Sequence, residues 1–244
     1  MLRRAAALAL GLAVAATLSA RADIVAARYE SATDRYPHAV LGDALEWERL
    51  VATLSDGRQI ALRWPDTIVF EDLAPRLADL DGGGAPEVIV VESHENLGAR
   101  LSVYGLNDGA LSLRAATPFI GTRFRWLAPL GAADLDGDGR VEIAYVDRPH
   151  LARILTVWRY LPGTAGSGTL EPVATAAGAT NHRIGEDFIS GGLRDCGDGP
   201  EIITATPDWS QVQASRLLPS GRIETVRLGV PATPGGFARA MDCR

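Results

Sequence analysis

The sequence predicts an all-β fold, a four-bladed β-propeller with one blade shared between the N- and C-terminal segments. Three observations predict it: a recurring acidic, glycine-rich turn, a second series of tight-turn signals with nearly the same period, and incomplete repeats at the two chain ends. The acidic turns lie within Ala78 to Glu92, Ala133 to Asp147 and Arg194 to Ala205, each followed by a β-branched run. Glu87, Glu142 and Glu201 mark the same place in each, 55 and then 59 residues apart. The second series is Ser55-Asp56-Gly57, Asn107-Asp108-Gly109, the stretch from Gly163 to Gly168, and Pro219-Ser220-Gly221, whose last glycines recur at 52, 59 and 53 residues.

Four hairpins stand against three acidic turns, and the chain ends supply the difference. The segment Phe237 to Cys243 resembles Ile189 to Cys196, the strand leading into the third acidic turn, and Pro37 to Asp43 resembles Pro86 to Glu92, the strand leaving the first. A circular array of four-stranded blades splits a repeat between its ends in this way; an open solenoid has no reason to. Each blade then reads strand A, acidic turn, strand B, loop, strand C, glycine turn, strand D. Asp43 to Leu50 carries a helix-start signal, with Asp43 as cap and Glu46 behind it, but the repeat register makes its second half a strand C.

Ahead of the repeats, Arg3 and Arg4 precede the apolar run Ala5 to Leu18, and Ala20-Arg21-Ala22 offers a small-x-small cleavage pattern. Residues 1–22 are therefore expected to be a signal peptide, 23–35 an N-terminal extension and 36–244 one propeller domain, in a protein that is secreted or periplasmic. The apolar run is shorter than the roughly 20 residues of a membrane span, so no stable membrane insertion is expected after cleavage. Without the leader the chain carries 21 basic and 30 acidic residues, a net charge of −9, which argues against nucleic-acid binding. Every basic residue is Arg, so Schiff-base and lysine-dependent phosphate chemistry are excluded. Two cysteines, Cys196 and Cys243, read as a disulfide in an exported chain, placed at equivalent turn positions of neighbouring blades.

The stretch Leu130 to Ile143, with Asp134-Leu135-Asp136-Gly137-Asp138-Gly139 at its centre, resembles the FG-GAP and VCBS repeats of integrin α subunits and of many bacterial exported proteins. The resemblance covers the chain loosely, with one strong, one eroded and one shortened motif. It implies a propeller with Ca²⁺ in the A–B turns and a role in binding or adhesion rather than catalysis.

The residues themselves support a metal in the strong turn. Asp134, Asp136 and Asp138 alternate along it, the Arg140 carbonyl and Glu142 complete an oxygen set, and such a set holds a hard cation. One structural Ca²⁺ site is expected there. A second, weaker one is expected at Asp79, Asp81 and Glu87, where Gly83 replaces the third carboxylate. The third turn is two residues shorter and is expected to be metal-free.

The D–A and B–C loops fall at the opposite end. They gather Arg123, Arg125, Trp126, Asp147, His150, His182 and Arg183, a set of planar donors and aromatics suited to ligand binding. The bland account of these residues is inter-blade packing and ion pairing. The leading functional expectation is a protein- or glycan-binding module. Rival readings are an enzyme using these Arg and His residues on an anionic substrate, and a structural envelope or adhesion component. No HExxH, G-x-S-x-G, Walker or Cys-His signature is present, and no catalytic residue is assigned.

Overall fold

The structure, a computed structural model, describes residues 22–244, so the expected signal peptide lies outside the described residues but for Ala22. The first strands, β1 (Ile24–Thr33), β2 (Glu46–Leu54) and β3 (Gln59–Arg63), form an antiparallel meander with Ser55 to Gly57 at the β2–β3 turn. A short β4 (Ile68–Phe70) bridges β2 to β6 through the Trp47–Phe70 pair. It thereby joins this meander to a second one, β5 (Arg76–Ala78), β6 (Glu87–His94), β7 (Gly98–Asn107) and β8 (Ala110–Ala116), in one eight-stranded sheet. Two regular four-stranded antiparallel sheets follow. One is β9 (Leu127–Ala133), β10 (Glu142–Asp147), β11 (Ile154–Pro162) and β12 (Gly168–Ala177); the other is β13 (Gly192–Asp195), β14 (Pro200–Ala205), β15 (Val212–Leu217) and β16 (Ile223–Arg227). The chain ends in one short helix, α1 (Pro234–Met241). This all-β arrangement of antiparallel sheets is consistent with a propeller-type fold.

The sheets stack face to face, which accounts for the continuous apolar runs from Val88 to Val91 in β6 and from Ile143 to Val146 in β10. In β6, Val88 and Val90 face the β1–β4 segment with Leu50 and Phe70, while Ile89 and Val91 face β10 with Ile143 and Tyr145. In β10, Ala144 and Val146 turn the other way, toward Ile202 and Leu217. Side chains alternate across a strand, so a run packed on both faces is apolar at successive positions.

Two expectations from the chain ends are corrected. Phe237 to Cys243, read as the first strand of a shared blade, lies in and beyond α1. Thr233 caps that helix by accepting from the Gly236 amide, Pro234 takes the first helical turn, and Ala238, Ala240 and Met241 follow. Phe237 and Ala240 cover Ile203, Ala205 and Val212 on the outer face of the last sheet, so a helix, not a shared strand, shields that face. Pro37 to Asp43, read as a strand, is a loop; the strand paired to β2 is β1, within the segment expected to be an extension. The second half of Asp43 to Leu50 is strand, as the repeat register required.

The disulfide is present: Cys196 and Cys243 are bonded with Cα atoms 5.7 Å apart. The route differs from the expected pair of equivalent strands. Helix α1 closes with the Cys243 amide donating to Ala240 O and the Arg244 amide to Arg239 O, the paired bonds that end a helix on a left-handed residue. That residue is Cys243 itself, with φ 62°, and the reversal carries its sulfur to the third acidic turn.

Candidate functional site

An antiparallel meander sends alternate connections to opposite ends. The acidic turns and the glycine hairpins share one end; the other holds the loops after β6, β8, β10, β12 and β14.

At the turn end, Asp79, Asp81 and Glu87 bring carboxylate oxygens within 4.8 Å of one another, as do Asp134, Asp136 and Asp138. These acidic clusters have the donor chemistry for a hard cation. In the strong turn the Asp134 carboxylate also accepts from the amides of Gly137, Asp138 and Gly139, and Asp138 accepts from that of Arg140. Glu142 departs from the expected ligand set. One of its oxygens accepts from the Leu135 amide, and the other is held by Arg159 at 2.6 Å, whose guanidinium also reaches Asp136 at 2.7 Å and Asp138 at 3.2 Å. The three aspartates thus fit a cation, and Arg159 occupies the fourth carboxylate and competes for two of the others. In the third turn Arg194 and Arg216 grip Glu201 at 2.6 and 3.0 Å. Burial opposes ionisation of Glu201, but these arginines outweigh it and hold its carboxyl below the usual range. Asp195 accepts from the Gly197 and Gly199 amides, as Asp134 does in the strong turn.

At the loop end, a cleft of about 250 Å³ is lined by residues from four separate connections. The β1–β2 loop contributes His38 and Val40, and the β8–β9 loop Phe124, Arg125 and Trp126. Arg148, His150 and Leu151 come from the β10–β11 loop, and Ile184 from the β12–β13 loop. Backbone bonds tie these loops together. The Gly185 amide donates to Val40 O, the Arg148 amide to Trp126 O, and the Ala99 amide to Arg125 O. Gly98, at φ +72°, is required by this approach, because a Cβ there would lie 2.2 Å from the Thr122 carbonyl oxygen. Three non-glycine residues around the cleft, Ala39, Phe124 and Arg148, hold left-handed backbone at φ 55°, 56° and 45°. Strain of this kind persists only where the surroundings over-determine it.

Two imidazole systems flank the cleft. His38 Nδ1–H donates to the buried Glu71 carboxylate at 2.5 Å, Ser93 Oγ–H donates to the other Glu71 oxygen, and the His38 ring stacks on Phe124. Burial pushes the Glu71 carboxyl up, opposed mainly by its bonds to His38 and Ser93. On the other side His182 Nε2–H donates to the Glu186 carbonyl at 2.9 Å. A carbonyl only accepts, so in a neutral ring His182 Nδ1 is the acceptor, and it takes the proton of His150 Nε2 at 3.0 Å. Burial lowers the His182 pKa, and burial with the neighbouring His182 and His38 pushes His150 down to about 4, so both are neutral near pH 7.

The expected binding residues divide. Arg125, Trp126 and His150 line the cleft. Trp126 is 2% exposed, and its indole N–H donates to the Glu71 carbonyl, so it forms the floor and is closer to the packing account. His182 is buried behind His150. Asp147 is bound to Arg148 at 2.8 Å. Arg123 lies over the rings of Tyr36 and Phe124, and Arg183 lies 4.0 Å over Trp209. His38, Glu71 and Ser93 complete the surroundings. These three are not among the residues the sequence predicts for the site, because no motif links positions 33 and 22 residues apart.

Residues 79–145 match the profile of the FG-GAP-like repeat, spanning the first acidic turn to the end of the second. The chain carries an FG-GAP-type repeat. Its FG-GAP segment begins at Asp79, includes all three aspartates of the strong turn, and ends within β10 at Tyr145. The matched stretch therefore contains both acidic clusters and, in the loop after β8, Arg125 and Trp126. No curated protein matches the chain. Among the described residues no helix is long and apolar enough to cross a membrane.

Proposed function

We propose that this FG-GAP-type chain is an exported, propeller-type binding module with four blade-like units, steadied by Ca²⁺ at the Asp134–Asp138 turn and presenting its loop end to a protein or glycan. The units are β1–β3, β5–β8, β9–β12 and β13–β16. The observation that carries the reading is convergence: connections from three sheets meet the β1–β2 loop around one cleft, away from the acidic turns. Binding residues concentrate on loops that a rigid scaffold positions. The mouth supports contact with a partner, since Leu151 and Ile184 are 62% and 72% exposed beside Arg183.

The test is binding to arrayed glycans and to displayed surface proteins. A loop-end variant, Arg183→Glu with Ile184→Glu, is expected to lose the ligands that the wild type retains, and Asp108→Lys at the turn end to keep them. Retention by the loop-end variant, at unchanged melting temperature, would sink the assignment.

A second reading makes the same cleft catalytic and is favoured by the Ser93–Glu71–His38 chain, which orients an imidazole as general bases are oriented. A panel of carboxylester, phosphoester and glycoside substrates decides it, with His38→Gln as the control; turnover that survives His38→Gln rejects it.

A further inference from the structure

Arg125 is half-buried in the cleft, yet among the described residues it makes no ion pair; its one polar contact is Nη1–H to the Phe124 carbonyl at 2.8 Å. A half-buried guanidinium loses part of its solvation, which one neutral carbonyl does not replace. The other charges near the cleft are accounted for. Arg148 is bound to Asp147 through three hydrogen bonds, His38 is paired with Glu71, and Arg123, which does not line the cleft, lies over the Tyr36 and Phe124 rings. Among the described residues no Asp or Glu lines the cleft. The remaining surface is flat or aliphatic: Phe124 and Trp126 rings, with Val40, Leu151 and Ile184. The volume, about 250 Å³, lies below the several hundred Å³ typical of drug-sized sites.

We propose that this cleft binds a small monocarboxylate with a flat apolar body, its carboxylate paired with Arg125 and its body held against Leu151 and Ile184. The inference rests on the loop end being the working face. A single unpaired cation matches one negative charge, and the planar guanidinium fork matches a carboxylate. A phosphate dianion would bring a second charge with no free counterpart, because Arg148 is bound to Asp147 and His38 to Glu71. A sugar acid would place hydroxyls against Leu151 and Ile184.

Titration calorimetry of the full exported chain with benzoate tests it. Saturable one-to-one binding is expected, with at least about tenfold loss for Arg125→Gln and for benzamide, the uncharged analogue, as befits removal of a charge-assisted bond. Ile184→Ser is expected to weaken binding severalfold, and Arg123→Gln to leave it within about twofold. Melting curves confirm that each variant is folded. Absence of saturation at about 10 mM benzoate, equal binding by Arg125→Gln, or tighter binding of glucuronate or inorganic phosphate overturns the proposal. The two readings fail separately. If the Arg183 and Ile184 variant loses its partner while benzoate does not bind, only the ligand assignment falls. If benzoate binds while that variant keeps its partner, only the assignment of the loop end as partner surface falls.

Discussion

Removing the Cys196–Cys243 bond by changing both residues to Ala is expected to destabilise the chain substantially. The bond closes a loop with a sequence separation of 47 residues, for which the chain-entropy relation predicts about 4 kcal/mol of lost stability. Spread over a domain of this size, at roughly 2–4 °C per kcal/mol, the midpoint should fall by about 8–16 °C. The loop spans β14, β15, β16 and α1, so the loss reaches a sheet as well as the chain end. The packing of α1 is not removed, because Phe237 and Ala240 still cover Ile203 and Val212. A companion substitution isolates the backbone. Cys243 is left-handed, where Gly is favoured, so Cys196→Ala with Cys243→Gly should recover about 0.5–1 kcal/mol relative to the double Ala variant. The assay is thermal unfolding by circular dichroism, with the wild type also measured after reduction. A fall below about 3 °C in the double Ala variant, or a glycine variant less stable than the alanine one, would refute the reasoning.

Three other outcomes are expected. Arg159→Met should tighten Ca²⁺ binding at the strong turn, because it frees Asp136, Asp138 and Glu142 from their shared guanidinium; calorimetry showing unchanged or weaker Ca²⁺ affinity in the folded variant contradicts the competition. Burial, with Glu71, Asp43 and Asp72 nearby, pushes the Glu46 carboxyl up to about 10. Its folded pKa exceeds its unfolded one, so its contribution is fully present below about pH 4.5 and is lost as pH rises toward 10. Glu46→Gln should therefore stabilise the protein at pH 8 more than at pH 5, and melting curves showing no such difference reject the assignment. His150 has the opposite sign. With a folded pKa near 4 against 6.5 unfolded, its neutral form favours the fold above pH 6.5, and that stability is lost as pH falls through this window. His150→Gln should flatten the drop in midpoint between pH 6.5 and 4; an unchanged slope argues against burial of the ring.

What a local pattern can encode was legible in advance. Asp134 to Glu142 and its two relatives specify tight turns through glycine and aspartate, and the apolar runs after them specify strands buried on both faces. The pairing of two cysteines followed from their number in a chain expected to be exported. The loop-end grouping of Arg125, Trp126 and His150 followed from meander geometry, because alternate connections must share an end.

The sequence by itself thus determined the strand repeat, the acidic turns and the end at which the loops gather. Only the tertiary structure decided what the chain ends do and which side chains meet in the cleft. Phe237 to Cys243 matched a strand by residue likeness, but the Thr233 cap and the exposed face of the last sheet favour a helix, and that face exists only after β13–β16 assemble. Strand β1 carries a weak pattern because one face of it is exposed, so its pairing with β2 rather than its own sequence defines it. His38, Glu71 and Ser93 are joined by packing between three separate segments, and Arg159 reaches its acidic turn from the neighbouring strand, directly opposite Glu142. Local turn chemistry is written in neighbouring residues. The partner of a buried charge is chosen by whichever group the fold brings within hydrogen-bonding distance, and that choice has no sequence period.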